Sequence, residues 1–217
     1  MALALFDLDN TLLAGDSDFL WGEFLTEQGV VDRDVYEREN QRFYAEYNQG
    51  TLDIHEFQAF SQQPLVNNDT EMMKALRVKF VEEKIRPIMG PASFELIAKH
   101  RAQGDTLVVI TATNSFVTSP IASAFGIDNL IATEPEVVNA KYTGKIAGTP
   151  CFQGGKVVRL TEWMQEHKLD MSDSWFYSDS HNDLPLLLEA DHPVAVDPDD
   201  KLLAHANAAG WQVMSLR

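Results

Sequence analysis

Short apolar runs at Ala2 to Phe6, Thr106 to Ile110, Asn129 to Ala132, Trp175 to Tyr177 and Pro193 to Val196 are bounded by polar or turn-forming residues and predict strands. Apolar positions at helical spacing predict helices over Pro91 to Gln103, Ser115 to Phe125, Lys156 to His167, Asp183 to Glu189 and Asp199 to Ala209. Strand and helix in alternation is the pattern of an α/β fold, a doubly wound and mainly parallel sheet covered on both faces.

About ninety residues separate the first two predicted strands, and none of them reads as a strand; a simple crossover needs far fewer. Helical periodicity covers Asp18 to Gln28, Asp34 to Tyr47, Ile54 to Gln62 and Thr70 to Lys84, interrupted at Gly29, Gly50 and a loop from Pro64 to Asn68. The expected organisation is a catalytic core made of residues 1–14 and 88–217, with a helical cap inserted at 15–87. A hairpin is expected over Glu134 to Thr149, with its turn near Thr143 and Gly144.

The first strand ends in DLDNT, Asp7 to Thr11, which sets two carboxylates one residue apart at the end of a buried run. Such charges are strongly disfavoured unless a metal or a cation compensates them. Ligands of a doubly wound sheet bind beyond the carboxyl ends of its strands. That edge collects Asp7 and Asp9, then Thr111 with Thr113 and Asn114, then Asp179, Asn182 and Asp183. Lys156, in GGK at a predicted helix start, can bring an ammonium to the same edge; it is not a P-loop lysine, because Val157 follows it.

In this order, DxDxT at Asp7 to Thr11, a strand ending in Thr111, Lys156, and DSHND at Asp179 to Asp183, the chain resembles the haloacid dehalogenase phosphohydrolase superfamily in its phosphoserine-phosphatase-like branch. The resemblance implies a Rossmann-like core with an inserted cap, and Mg²⁺-dependent hydrolysis of a phosphate monoester through an aspartyl phosphate. It implies that Asp7 is the nucleophile and Asp9 the general acid and base. Asp7, Asp179 and the Asp9 carbonyl would hold Mg²⁺. Thr111, the Ala112 amide, Lys156 and Asn182 would hold phosphate, and Asp183 would orient Lys156 or the ligands. Serines stand at 178 and 180 where many members carry glycine, and are expected to narrow the backbone's approach to the metal.

The substrate expectation comes from the cap. Phosphoserine phosphatases of this branch meet the substrate amine with an acid just after the first motif and clamp its carboxylate with an arginine farther on. Asp16 falls near the acidic position, but Phe57 to Leu65, FQAFSQQPL, holds no Arg or Lys. A buried carboxylate would lack its partner there. The segments CFQGGKVVRL and SDSHNDLPLL are similar to those of bacterial histidinol-phosphate phosphatases of the superfamily, whose substrate is an amine without a carboxylate. Phosphoserine or another small phosphorylated metabolite is the alternative, with Arg42 as a carboxylate partner from elsewhere in the cap. The acids Asp16, Asp18 and Glu23 have two open readings, a helix N-terminus that favours acids or a contact with a cationic substrate tail.

Composition narrows the partners. With 17 basic residues against 33 acidic, the net charge of −16 repels nucleic acid and anionic lipid. The start MALALF has no basic leader and meets Asp7 too early for a membrane span, so a cytoplasmic enzyme is expected, its oligomeric state open. Cys151 is the single cysteine and reads as a packed thiol, and apart from His181 the six histidines read as surface or cap positions. Phe43, Tyr44 and Tyr47 at helical spacing read as cap core, with a substrate-stacking surface as the alternative. A signalling receiver domain would carry its acceptor Asp after the third strand, so the order of motifs here excludes it; an inactive binding module of the same fold is the remaining non-enzymatic reading.

Overall fold

The structure is a computed structural model that describes residues 2–217. Six strands form one parallel sheet in the order β3-β2-β1-β6-β7-β8: β1 Leu3–Phe6, β2 Thr106–Asn114, β3 Asn129–Thr133, β6 Trp175–Ser178, β7 His192–Val196 and β8 Gln212–Met214. All four residues of β1 are buried, as expected for a central parallel strand with helices on both faces. Because the strands are parallel, Asp7 after β1, Thr111 in β2 and Asp179 after β6 emerge on one edge. The β2–β3 register shifts between Ile110 and Asn114, so β2 bulges across Thr111–Thr113 while continuing to Asn114, beyond its expected end.

Of the six α-helices between β1 and β2, the first five are α1 Ser17–Glu27, α2 Arg33–Gln49, α3 Ile54–Ser61, α4 Gln63–Asn67 and α5 Thr70–Phe80. They form the helical cap. The starts of α1, α2, α3 and α5 are written in short acids, for Asp16, Asp32, Asp53 and Asp69 each accept first-turn backbone N–H groups. The core helices are α6 Pro91–Gln103, α7 Ser115–Ala124, α8 Gly154–His167, α9 Leu184–Leu187 and α10 Asp200–Ala209. One buried cluster joins cap to sheet, with Trp21, Phe24, Phe80 and Phe116 stacked edge and face at centroid separations from 5.1 to 6.2 Å.

Four features of the fold differ from the sequence expectation. The expected loop from Pro64 is the helix α4, since a proline in the first helical turn loses no hydrogen bond. The hairpin of β4 Pro135–Val138 and β5 Lys141–Ile146 turns at Asn139 and Ala140, both left-handed (φ 51° and 61°), and not at Thr143–Gly144. Strand β8 was not expected, being a three-residue edge with Gln212 and Val213 exposed. His100 is fully buried, its ring nitrogens 2.8 Å from Asp105 Oδ2 and 2.7 Å from the Tyr177 hydroxyl.

Candidate active site

Lys156 lies at the centre of the edge. Its ammonium, 2 % exposed, donates to Asp7 Oδ1 and to Asp183 Oδ2, each at 2.7 Å. The chain brings it there by a close turn at the head of α8, where Pro150 O sits 2.0 Å from the place a Gly155 Cβ would occupy; only glycine fits. Burial alone would discharge the ammonium, but Asp183 and Asp7 overrule it and hold Lys156 charged. Burial raises Asp7 to about 7 despite the Lys156 charge, with Asp183 and Asp9 adding to the rise.

Asp9 is clamped from two elements. Its Oδ1 accepts the Ser17 backbone N–H at 2.6 Å and its Oδ2 the Thr113 hydroxyl at 2.8 Å. Burial and the Asp16 charge raise it to about 6, while these hydrogen bonds hold it lower than burial alone would. Thr11, the last residue of DxDxT, bridges the other carboxylates, a role its sequence position does not reveal: its hydroxyl lies 2.9 Å from Asp179 Oδ1 and 3.3 Å from Asp7 Oδ2, and it accepts the Asp179 N–H. Ser178, in the expected glycine position, donates to Asp183 Oδ2 at 2.7 Å and so steadies the partner of Lys156.

Asp179 carries a pKa raised by burial and by the Asp7 charge, a repulsion that a divalent cation would relieve. Among the described residues no group of three His, Cys, Asp or Glu side chains converges as a metal site. Two carboxylates, a backbone carbonyl and substrate oxygens are the donor set that fits Mg²⁺, which commonly takes one or two protein carboxylates and keeps its other positions for water and phosphate.

A cleft between cap and sheet opens onto these groups. It is lined by Asp7, Asp9, Asp16, Asp18, Thr111, Ala112 and Thr113, with Phe19, Asn40, Phe43, Tyr44, Tyr47 and Phe57 opposite them. Tyr44 and Tyr47 therefore face the cleft instead of completing the cap core; Phe43, 3 % exposed, does both. Gln58 of α3 donates to the Ala112 carbonyl at 3.3 Å and ties the cap to the expected phosphate loop. Asn182 spends its amide elsewhere, donating to Tyr47 O at 3.0 Å and accepting from Gln153 at 3.1 Å. Arg42 is held by Glu39, Glu46 and Glu56 at 2.8 to 3.0 Å and stacks on Phe43. Cys151 is fully buried, its thiol pushed up to about 12.

Residues 4–188 match the haloacid dehalogenase-like hydrolase family. The chain belongs to that family. It is 40% identical over 219 residues to a histidinol-phosphatase of Neisseria meningitidis, covering 99% of each chain. A solved protein of unknown function from Bordetella pertussis superposes with TM-score 0.94 at 42% identity, over 100% of this chain and 99% of that one. A substrate-bound phosphoserine phosphatase shares the fold with TM-score 0.71 at 18% identity, over 100% and 93% of the two chains. Among the described residues no helix is long and apolar enough to cross a membrane.

Proposed function

We propose that the protein is a Mg²⁺-dependent phosphate monoester hydrolase that acts on L-histidinol phosphate. The observation that carries the substrate reading is the cleft lining, which holds four carboxylates and five aromatic rings but no Lys, Arg or His. Lys156, engaged by Asp7 and Asp183, is bound to the phosphate end of the site. A leaving group with a carboxylate, such as serine, would meet only like charge there; one with basic nitrogens is complementary. The full-length likeness to the Neisseria histidinol-phosphatase supports the same reading.

Asp7, fixed by Lys156 and Thr11, attacks phosphorus as the P–O bond to the leaving alkoxide breaks, and becomes an aspartyl phosphate. Asp9 gives the alkoxide its proton. It then takes a proton from the water that hydrolyses the acyl phosphate, which releases inorganic phosphate and restores Asp7. Burial raises Asp9 to about 6, nearer neutrality than an ordinary carboxyl, which suits a group that both gives and takes a proton. Thr111, the Ala112 amide and the Lys156 ammonium hold the equatorial oxygens as charge spreads over them. Mg²⁺, held by Asp7, Asp179 and the Asp9 carbonyl, would neutralise the dianion and the nucleophile together. Asn182 enters this mechanism through the cap, which it ties to the core at Tyr47.

The test is phosphate release with Mg²⁺ from a panel of monoesters. L-histidinol phosphate is expected to exceed L-phosphoserine in kcat/KM by at least about 100-fold, or roughly 2.7 kcal/mol of transition-state stabilisation. Equal turnover of the two would reject histidinol phosphate as the substrate, and no release from any ester would reject the phosphatase.

A further inference from the structure

Helix α1 delivers two carboxylates to the cleft, and they are not equivalent. Asp16 is a capping residue whose Oδ1 accepts the backbone N–H groups of Asp18 and Phe19, each at 2.9 Å. Asp18 is 9 % exposed, and its Oδ1 is sealed from solvent without a hydrogen-bond partner. The charges that act on it are those of Asp16 and Asp9, both of its own sign, and with burial they raise its pKa well above the carboxylate range. The Tyr36 hydroxyl, which feels the Asp18 charge, is also buried without a partner. A carboxylate buried among like charges costs stability in the free protein, and a fold keeps such a group where a ligand supplies the missing counter-charge.

The surroundings specify the ligand. Phe19 and Tyr44 stand with ring centroids 5.9 Å apart and planes tilted by 57°, and Phe43 and Phe57 meet edge to face at 5.2 Å. Aromatic faces beside an unpaired carboxylate suit a flat cation, because the rings attract positive charge and stack on a planar group while the acid takes its N–H. Gly22, one turn beyond Asp18 on α1, makes room for the Asn40 amide in the cleft wall: a Cβ there would stand 2.4 Å from Asn40 Nδ2.

We infer that Asp18, with the ring faces of Phe19 and Tyr44, is the subsite for the imidazolium end of the leaving group, and that Asp16 takes the ammonium nearer the phosphate. The inference rests on the histidinol phosphate reading and divides that substrate's two basic groups between two carboxylates. Asp16 is the nearer one to the reacting end, since both of its neighbours are tied to the first motif, Gly15 O accepting the Asn10 N–H at 2.9 Å and the Ser17 N–H donating to Asp9 Oδ1 at 2.6 Å.

The experiment compares L-histidinol phosphate with L-phenylalaninol phosphate, which keeps the amine and an aromatic ring but carries no ring charge. The wild-type kcat/KM ratio of the two is expected to be at least about 30, and Asp18→Asn should bring it below about 5, chiefly through KM for histidinol phosphate. Asp16→Asn should lower kcat/KM for both esters and keep the ratio above about 10. The metal-free Asp18→Asn protein should melt about 2 °C or more above the wild type, because the substitution removes a carboxyl that the fold buries among like charges without a partner. A wild-type ratio below about 5, or an Asp18→Asn ratio above it, overturns the inference, as does an Asp16→Asn ratio collapsed to the same level. A lower melting temperature for Asp18→Asn would show an internal partner and overturn it too. Absence of phosphate release from every ester by the wild type would instead reject the phosphatase reading beneath it.

Discussion

The Thr113 hydroxyl donates to Asp9 Oδ2 at 2.8 Å, across the bulge that β2 makes at the site edge. With the Ser17 N–H on Oδ1, this bond fixes the rotation of the carboxyl proposed to carry the proton in both steps. Thr113→Val should lower kcat by about 10- to 100-fold with a smaller change in KM, as loss of an orienting partner does elsewhere. Thr113→Ser keeps the hydroxyl and should stay within about 3-fold of the wild type. Equal kcat for Thr113→Val and wild type in steady-state assays would remove Asp9 from the proton transfers or Thr113 from its positioning.

Lys156 is the only cation that the two buried carboxylates Asp7 and Asp183 touch at hydrogen-bond distance among the described residues. Lys156→Met should therefore destabilise the fold by about 3–5 kcal/mol at pH 8, measured by urea unfolding, besides abolishing turnover. The loss should be smaller at pH 5, where protonation can discharge the stranded Asp7. A Lys156→Met protein as stable as the wild type at pH 8 would contradict the ion triad.

Much of this arrangement was legible in the sequence because it depends on order and adjacency. The strand-end positions of Asp7, Thr111 and Asp179 follow from short apolar runs, and a parallel sheet places such ends together whatever the loops do. The roles of Thr11, Thr113 and Ser178 were not legible, since a hydroxyl carries no periodicity and its partner lies far along the chain, 104 residues away for Thr113 and Asp9. Tyr44 and Tyr47 share the helical spacing of core residues, and only the docking of α2 over the sheet edge turns them toward the cleft. Asp18 reads in the sequence either as an acid of a first helical turn or as a contact for a cationic substrate tail; its isolation is a tertiary fact.

The cap closes on the core through the last turn of α2. Lys201 Nζ donates to Asn48 O at 3.4 Å and Gln49 O at 3.1 Å, carbonyls at the negative end of that helix, and lies 3.2 Å from His181 Nε2. Gly50 follows in the left-handed region (φ 78°), where a Cβ would come within 3.0 Å of His181 Nε2. Lys201→Met should raise KM by about 3- to 10-fold while costing under about 1 kcal/mol of stability, because the lysine is exposed. Gly50→Ala should cost about 1 kcal/mol or more from backbone strain and speed hydrogen exchange at the end of α2. Unchanged KM and unchanged exchange in both variants would show that this contact does not hold the cap.

The carboxylates of the site give the metal-free protein a pH dependence of definite sign. Asp7 is raised to about 7 and Asp9 to about 6, and Asp179 also lies above its ordinary range, each chiefly through burial. Between about pH 4 and pH 7 the unfolded chain has lost these protons while the folded chain still holds them. Folding therefore binds protons in this window, and stability is greatest toward its acid end and declines as pH rises through the folded values. The melting temperature of protein treated with chelator should fall from pH 5.5 to pH 7.5. Mg²⁺ competes for the same oxygens and binds their ionised form, so it should raise the melting temperature more at pH 7.5 than at pH 5.5. The same chelation should abolish turnover, with Mg²⁺ restoring it and Ca²⁺ failing to, because the larger and looser calcium shell misaligns nucleophile and phosphate. A metal-free melting temperature that rises over this interval, or an equal Mg²⁺ effect at both pH values, would show that the buried carboxylates are already compensated within the fold.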